Sequence, residues 1–280
     1  MATVPTATLP NGEKVAALGQ GTWTMGDNSR PRKDEVAALR LGFDLGMTLV
    51  DTAEMYASGG AEEVIGEAIA GRRGEIFIVS KVMPQNASRA RAINACEKSL
   101  KRLKVEVIDL YPLHWPGSAP FSETLEAFTA LKKAGKIRHW GVSNFDVREM
   151  EGVIALRDGE RVASNQVMYN LNRRGIEFSL IPWCEKHRMP IMAYSPLDQG
   201  RLLRSPEVER IATRHSVTAA QVALAWVLLQ KNMIVIPKAG TETHVRENHG
   251  ALGVRLDAED LAGLDRAFPP PGRKKPLETT

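Results

Sequence analysis

MTLVDTAEMYASGG, residues 47–60, is a short apolar run that ends on an acid and opens into a tyrosine-bearing loop. Two later stretches repeat the first half of that pattern. EIFIVSK, residues 75–81, closes on Lys81, and LYPLH, residues 110–114, closes on His114. Each run is apolar on both faces, as strands of a buried parallel sheet are. Asp51, Lys81 and His114 therefore stand at strand ends, with Tyr56 in the loop just past the first.

Working outward, eight such runs appear, at Val15–Leu18, Thr48–Val50, Ile76–Val79, Val107–Leu113, His139–Val142, Asn165–Tyr169, Pro190–Tyr194 and Met233–Ile236. Segments with helical spacing separate them. Val36, Leu39 and Phe43 follow Pro31. Ile93, Cys96, Leu100 and Leu103 follow Ser88 as N-cap. Leu125 and Phe128 follow Ser122 and stop before Gly135, and Val222, Trp226 and Leu229 follow Thr218. Eight alternations of two-sided apolar strand and amphipathic helix fit a closed (β/α)8 (TIM) barrel better than an open doubly wound sheet, and no linker divides the chain, so one domain over residues 1–280 is expected. Leu9-Pro10-Asn11-Gly12 is a hairpin-type turn, which places a small N-terminal β-hairpin across the barrel bottom. The Pro-rich tail from Pro269 has no helical period and is short enough to read as a loop within reach of the top face.

The composition sets bounds on function. A 43% apolar, 25% charged chain with net charge +4 is an ordinary globular protein, and the one basic run, Arg273-Lys274-Lys275, reads as a solvated tail rather than a nucleic-acid arm. Cys96 and Cys184 stand far apart with no CxxC, which suits a reducing compartment. No signal peptide pattern and no membrane-length apolar run is present, so a cytoplasmic location without membrane or nucleic-acid partners is expected.

Strand ends at one face of such a barrel are where active sites are built. A lysine ending a strand points into the barrel mouth, and Asp51 on the neighbouring strand is its natural counter-ion. A phenol beside that ammonium should ionise more easily, its pKa falling from about 10 to between about 7 and 9, which would let Tyr56 exchange a proton near neutral pH. His114 can donate to a carbonyl oxygen, with Trp115 beside it as an apolar wall. Metal chemistry lacks a ligand set: His244 and His249 are five apart, and no HxxxH or HExxH occurs. No GxSxG elbow supports a serine hydrolase. The remaining strand ends carry binding groups: Ser143 and Asn144 after strand five, Gln166 on strand six, Tyr194 after strand seven, and Lys238, Gly240 and Thr241 after strand eight, where a helix N-terminus follows. Together they form a groove suited to a nicotinamide dinucleotide, held without the GxGxxG turn of a Rossmann fold.

LGQGTW, GMTLVDTAEMY, VSKV, LYPLHW, GKIRHWGVSNF, NQVMYN, MAYSPL and IPKAGTETHVREN, in that order and spacing, make the chain resemble an aldo-keto reductase over nearly its whole length, and in particular the bacterial methylglyoxal-reducing branch. The resemblance implies an NAD(P)H-dependent carbonyl reductase with NADP(H) preferred. It implies Tyr56 as general acid, Lys81 and Asp51 as its tuning pair, and His114 orienting the carbonyl. By the same resemblance Ser143, Asn144, Gln166 and Asp51 lie at the carboxamide end and Tyr194 stacks on the nicotinamide. Gly21, Thr22 and Trp23 border cofactor and substrate, and Trp23 and Trp115 wall the pocket. Ser195 and Leu197 touch the pyrophosphate and Gln199 belongs to the adjoining loop, and Lys238, Ala239, Gly240, Thr241, His244, Glu247 and Asn248 lie along the adenosine. Many members carry serine at the place of Ala239 and arginine at that of His244, so weaker discrimination and some NAD(H) use are expected. A small carbonyl compound is the expected partner, acting on a monomer. A nucleotide-binding regulatory subunit, or a Schiff-base lyase using Lys81, are the competing readings.

Overall fold

The computed structural model describes residues 2–279. β1 (Thr6–Thr8) and β2 (Lys14–Ala16) pair antiparallel as a hairpin. Eight parallel strands follow: β3 (Gln20–Gly21), β4 (Leu49–Asp51), β5 (Phe77–Val79), β6 (Ile108–Leu113), β7 (Ile137–Ser143), β8 (Asn165–Met168), β9 (Ile191–Tyr194) and β10 (Met233–Val235). Each pairs with the next. Parallel bridges Leu18–Val235 and Gly21–Lys238 join the first to the last and close the barrel.

The first barrel strand is not where the apolar pattern put it. Most of the run Val15–Leu18 belongs to the hairpin and the barrel floor, and the strand proper is Gln20–Gly21. Gln20 is buried, and its side-chain amide donates to the carbonyls of Leu39 and Met47 at 3.1 and 3.3 Å. A buried polar side chain that is satisfied in this way is stable but gives no hydrophobic signal.

Helices α1 (Arg32–Asp44), α2 (Gly60–Ala68), α3 (Arg89–Leu103), α4 (Phe121–Lys133), α5 (Val147–Ile154), α6 (Leu180–Lys186), α7 (Pro206–His215), α8 (Ala219–Leu228), α9 (Glu242–Gly250) and α10 (Ala258–Ala267) surround the strands. Thr218 caps α8 in a reciprocal box with Gln221. Ser122 is not a cap: the N-cap is Pro120, two residues earlier, which leaves Ser122 inside the first turn of α4. Ser88 does precede α3, although its side chain makes no capping bond.

Two apolar layers result. Leu49, Phe77, Val79, Leu110, Met192 and Ile234 point inward and meet Ala7, Leu9 and Val15 of the hairpin. The outward faces of the strands pack on the helices through residues such as Val50, Ile78, Tyr111, Phe128 and Trp140. Full burial of each such side chain stabilises the fold by roughly 1.5–3 kcal/mol. Glu13, in the hairpin turn, reaches Arg138 at 2.6 Å and His139 at 2.8 Å near the start of β7, so the hairpin seals the end of the barrel opposite the strand C-termini. The C-terminal tail returns to the other end, where Arg173 holds Glu278 at 2.6 Å and Lys274 lies 3.5 Å from Asp146. Among the described residues, no helix is long and apolar enough to cross a membrane.

Candidate active site

β4, β5 and β6 bring Asp51, Lys81 and His114 to one end of the barrel, and the loop after β4 folds back to bring Tyr56 over them. That loop is held at several points. Glu54 accepts from the Met83 amide at 2.8 Å and from Asn86 at 3.0 Å, tying it to the segment after β5. Past Tyr56 the backbone turns through left-handed Ala57, Ser58 and Gly59, the last of which caps α2. Non-glycine residues in that region cost about 1–2 kcal/mol each and persist only where neighbours fix them.

Lys81 is fully buried. Its ammonium donates to Asp51 Oδ2 at 2.8 Å, to the Thr52 carbonyl at 2.8 Å and to the Tyr56 hydroxyl oxygen at 3.3 Å. It also lies 4.9 Å from the centre of the Tyr56 ring. The His114 ring meets Tyr56 edge-on at 5.8 Å and Trp115 at 4.8 Å. Trp23 is 53% exposed at the rim, with Met55 near it in exposure.

Burial dominates the electrostatics. It would lower the Lys81 pKa, but Asp51 and Tyr56 more than offset it and hold the amine protonated. Burial also raises the Asp51 carboxyl against the pull of Lys81 and Gln166. With a 2.8 Å contact to the ammonium, the pair is ionic at neutral pH. Burial and the Lys81 charge push the His114 imidazole down to about 2, so it is neutral. Its Nδ1 is enclosed without a hydrogen-bond partner, so a ligand can be met only through Nε2. Tyr56 reverses the expectation drawn from its neighbour. Burial raises its pKa above 10, and Lys81 only partly counters that. The sequence shows the adjacent cation but not the loss of water around the phenol, which penalises the phenolate more.

The later strands complete the mouth. Gln166 donates to Asp51 Oδ1 and to the Met192 sulfur, each at 2.8 Å. Asn144 donates to the His114 carbonyl and to Ser143 Oγ, and accepts from the Tyr194 hydroxyl at 3.0 Å. Thr22 binds the Asp51 carbonyl at 2.9 Å, and a methyl on Gly21 would stand 2.8 Å from the Ile236 carbonyl oxygen. Ser195, Asp198 and Gln199 are left-handed, and Leu197 between them is not. Asn170 and Asn172 pin this segment at the Ser195 carbonyl and the Asp198 carboxylate. Thr241 accepts from the His244 amide and caps α9. Lys238 is half-buried, Ala239 is buried, and Asn248 is buried with its Nδ2 unpartnered. His244 is exposed, and Glu247 meets Gln221 through its carbonyl. Sequence reasoning missed Glu54, Asn170, Asn172 and Met192, whose parts are purely tertiary. It also missed Arg30, which lies against Gly240.

A parallel barrel with an ion-paired lysine, a tyrosine and a neutral histidine at its strand ends is an oxidoreductase architecture. Residues 17–268 match the Aldo/keto reductase family, and the chain belongs to it. It is 53% identical to methylglyoxal reductase YeaE of Escherichia coli over 94% of this chain and 95% of that protein. It is 34% identical to a glyoxal reductase of Bacillus subtilis over 93% and 91%. An aldo-keto reductase from Klebsiella pneumoniae, solved in complex with NADPH, superposes with a TM-score of 0.96 at 47% identity, covering 99% of this chain and 100% of that one.

Proposed function

We propose that this aldo-keto reductase reduces small aldehydes and α-dicarbonyls, methylglyoxal among them, to alcohols with NADPH as reductant and Tyr56 as proton donor. The names of the Escherichia coli and Bacillus subtilis relatives support the substrate class, and the NADPH bound in the Klebsiella structure supports the cofactor. Features of this chain fit such a ligand. Asn248 keeps a buried amide unpartnered, the Ser195–Gln199 segment is held in a conformation its residues would not choose, and Lys238 has no ion-pair partner among the described residues. Bound NADPH would supply the hydride for the carbonyl carbon.

The protein's own part is to position the carbonyl and deliver a proton. The Tyr56 oxygen already accepts from Lys81, so its own O–H is directed to a substrate. Its raised pKa keeps it protonated until the carbonyl oxygen takes up negative charge. The proton then passes to that oxygen, and the phenolate left behind sits 3.3 Å from an ammonium before solvent reprotonates it. The neutral His114 donates from Nε2 to the same oxygen and holds it in place. That tautomer is assigned because the enclosed Nδ1 has no acceptor for a proton.

The observation that carries this reading is the Lys81–Tyr56 contact, with the ammonium itself fixed by Asp51 at 2.8 Å. The same contacts argue against a Schiff-base lyase. All three Lys81 donors are engaged and its pKa is raised, so it is held from acting as an amine nucleophile. The test is NADPH oxidation over a panel of carbonyl compounds, with wild type and Tyr56→Phe. Positioned proton transfer contributes about 10²–10⁴-fold, so kcat should fall by that order while the Kd for NADPH holds. Near wild-type turnover in the variant would remove Tyr56 from the mechanism.

A further inference from the structure

Arg30, on the loop between β3 and α1, and Lys238, just past β10, meet over Gly240. A methyl on that glycine would stand 3.1 Å from Arg30 Cδ, 3.3 Å from Arg30 Nε and 3.3 Å from Lys238 Nζ. A side chain there would press the two cations back by a few tenths of an ångström. Among the described residues, neither cation has a carboxylate within ion-pair distance. The acids nearest Lys238 are committed elsewhere: Glu35 accepts from the Gly26 amide at 3.0 Å, and Asp27 from the Ser29 amide at 2.8 Å. Two like charges are thus held together beside the N-terminus of α9, whose first amides have no intrahelical acceptor. Lys238 registers the strain: burial first, then the Arg30 charge, lowers its pKa. Such an arrangement is unfavourable alone and favourable around an oxyanion large enough to touch both cations.

We propose that Arg30 and Lys238 form a two-cation clamp for the ribose phosphate that distinguishes NADPH from NADH, and that Arg30 supplies the selectivity that neither Ala239 nor His244 provides. The inference rests on the cofactor reading above. The guanidinium fork suits a phosphate better than an ammonium does, because two N–H groups can point at neighbouring oxygens. Arg30 is exposed and, among the described residues, bonds to no other element, so its removal should leave the fold intact.

Equilibrium titrations of NADPH and NADH against wild type, Arg30→Ala and Arg30→Lys, followed by quenching of tryptophan fluorescence, test the clamp. Arg30→Ala should weaken NADPH by about tenfold or more, the order of one charge-assisted hydrogen bond, and NADH by less than about twofold. Arg30→Lys should fall between. If wild type prefers NADPH and Arg30→Ala leaves the NADPH/NADH ratio unchanged, or weakens both alike, the clamp is wrong and the cofactor reading stands. If wild type shows no preference for NADPH, the cofactor reading fails and the clamp with it.

Discussion

Gln166 and Asp51 are joined across the barrel mouth: the glutamine amide donates to Oδ1 of the carboxylate at 2.8 Å, while Lys81 donates to Oδ2 at the same distance. Both oxygens of one buried acid are therefore spoken for, one by a neighbouring strand and one by a strand far along the chain. The carboxylate fixes the lysine that faces Tyr56, and it fixes a residue proposed to line the carboxamide end. A shift at either end is felt at the other.

This geometry gives a stability prediction. Removing one partner of a buried ion pair typically costs about 3–5 kcal/mol, because the other charge is stranded, while replacing both with apolar groups is often neutral or better. Lys81→Met and Asp51→Leu should each lower the urea midpoint sharply. The double variant should be more stable than either single variant and still inactive. Additive losses in that double-mutant cycle would show that the pair does not couple as the distances imply.

A second prediction concerns pH. With Tyr56 held protonated past its ordinary value, carbonyl reduction should show no loss from tyrosine ionisation below about pH 10. Alcohol oxidation needs the phenolate, so its rate should climb with pH over the same range. His114 is pushed down to about 2, so no inflection from it should appear near pH 6.5, where an ordinary histidine titrates. Paired pH profiles of both directions check this. A reduction rate that declines through neutral pH, with the oxidation rate rising as its mirror, would mean the phenol ionises early.

The third lies at the opposite end of the barrel. Burial raises Glu13, but hydrogen bonds from His139 and Arg138 more than reverse that, so its folded pKa is depressed. Burial likewise depresses His139. In both cases the folded state binds protons more weakly than the unfolded chain, so the stabilisation is present at neutral pH and fades on acidification. The His139 contribution fades as pH falls below about 6.5, and that of Glu13 follows below about 4.5. Hydrogen exchange in β1 and β2 should accelerate over that span in wild type and stay level in a Glu13→Gln, His139→Gln double variant.

Seven of the eight barrel strands lie where alternation of apolar runs and helical spacing puts them, because two-sided burial leaves an unmistakable pattern. The first strand was displaced since Gln20 is buried by hydrogen bonding, not by hydrophobicity. Strand ends located Asp51, Lys81 and His114, and loop length allowed Tyr56 to join them. What stayed hidden depends on solvent and distance. The direction of the Tyr56 shift follows from the water it loses, and Arg30 gains its neighbour Lys238 only once β3 and β10 meet. Asn170 and Asn172 read as ordinary polar residues until they are seen holding the strained Ser195–Gln199 segment.

The order of the strands has a consequence for how this protein comes to life on the ribosome. Asp51, Tyr56, Lys81 and His114 all emerge before β7, yet Gln166 must arrive before Asp51 is fully braced. Lys238 and the cap of α9 come later still, and the barrel cannot close until Val235 docks on Leu18. A nascent chain would thus carry every group proposed to handle the proton before the strands proposed to hold NADPH are in place. On the proposed reading, reactivity would arrive only with the last barrel strand.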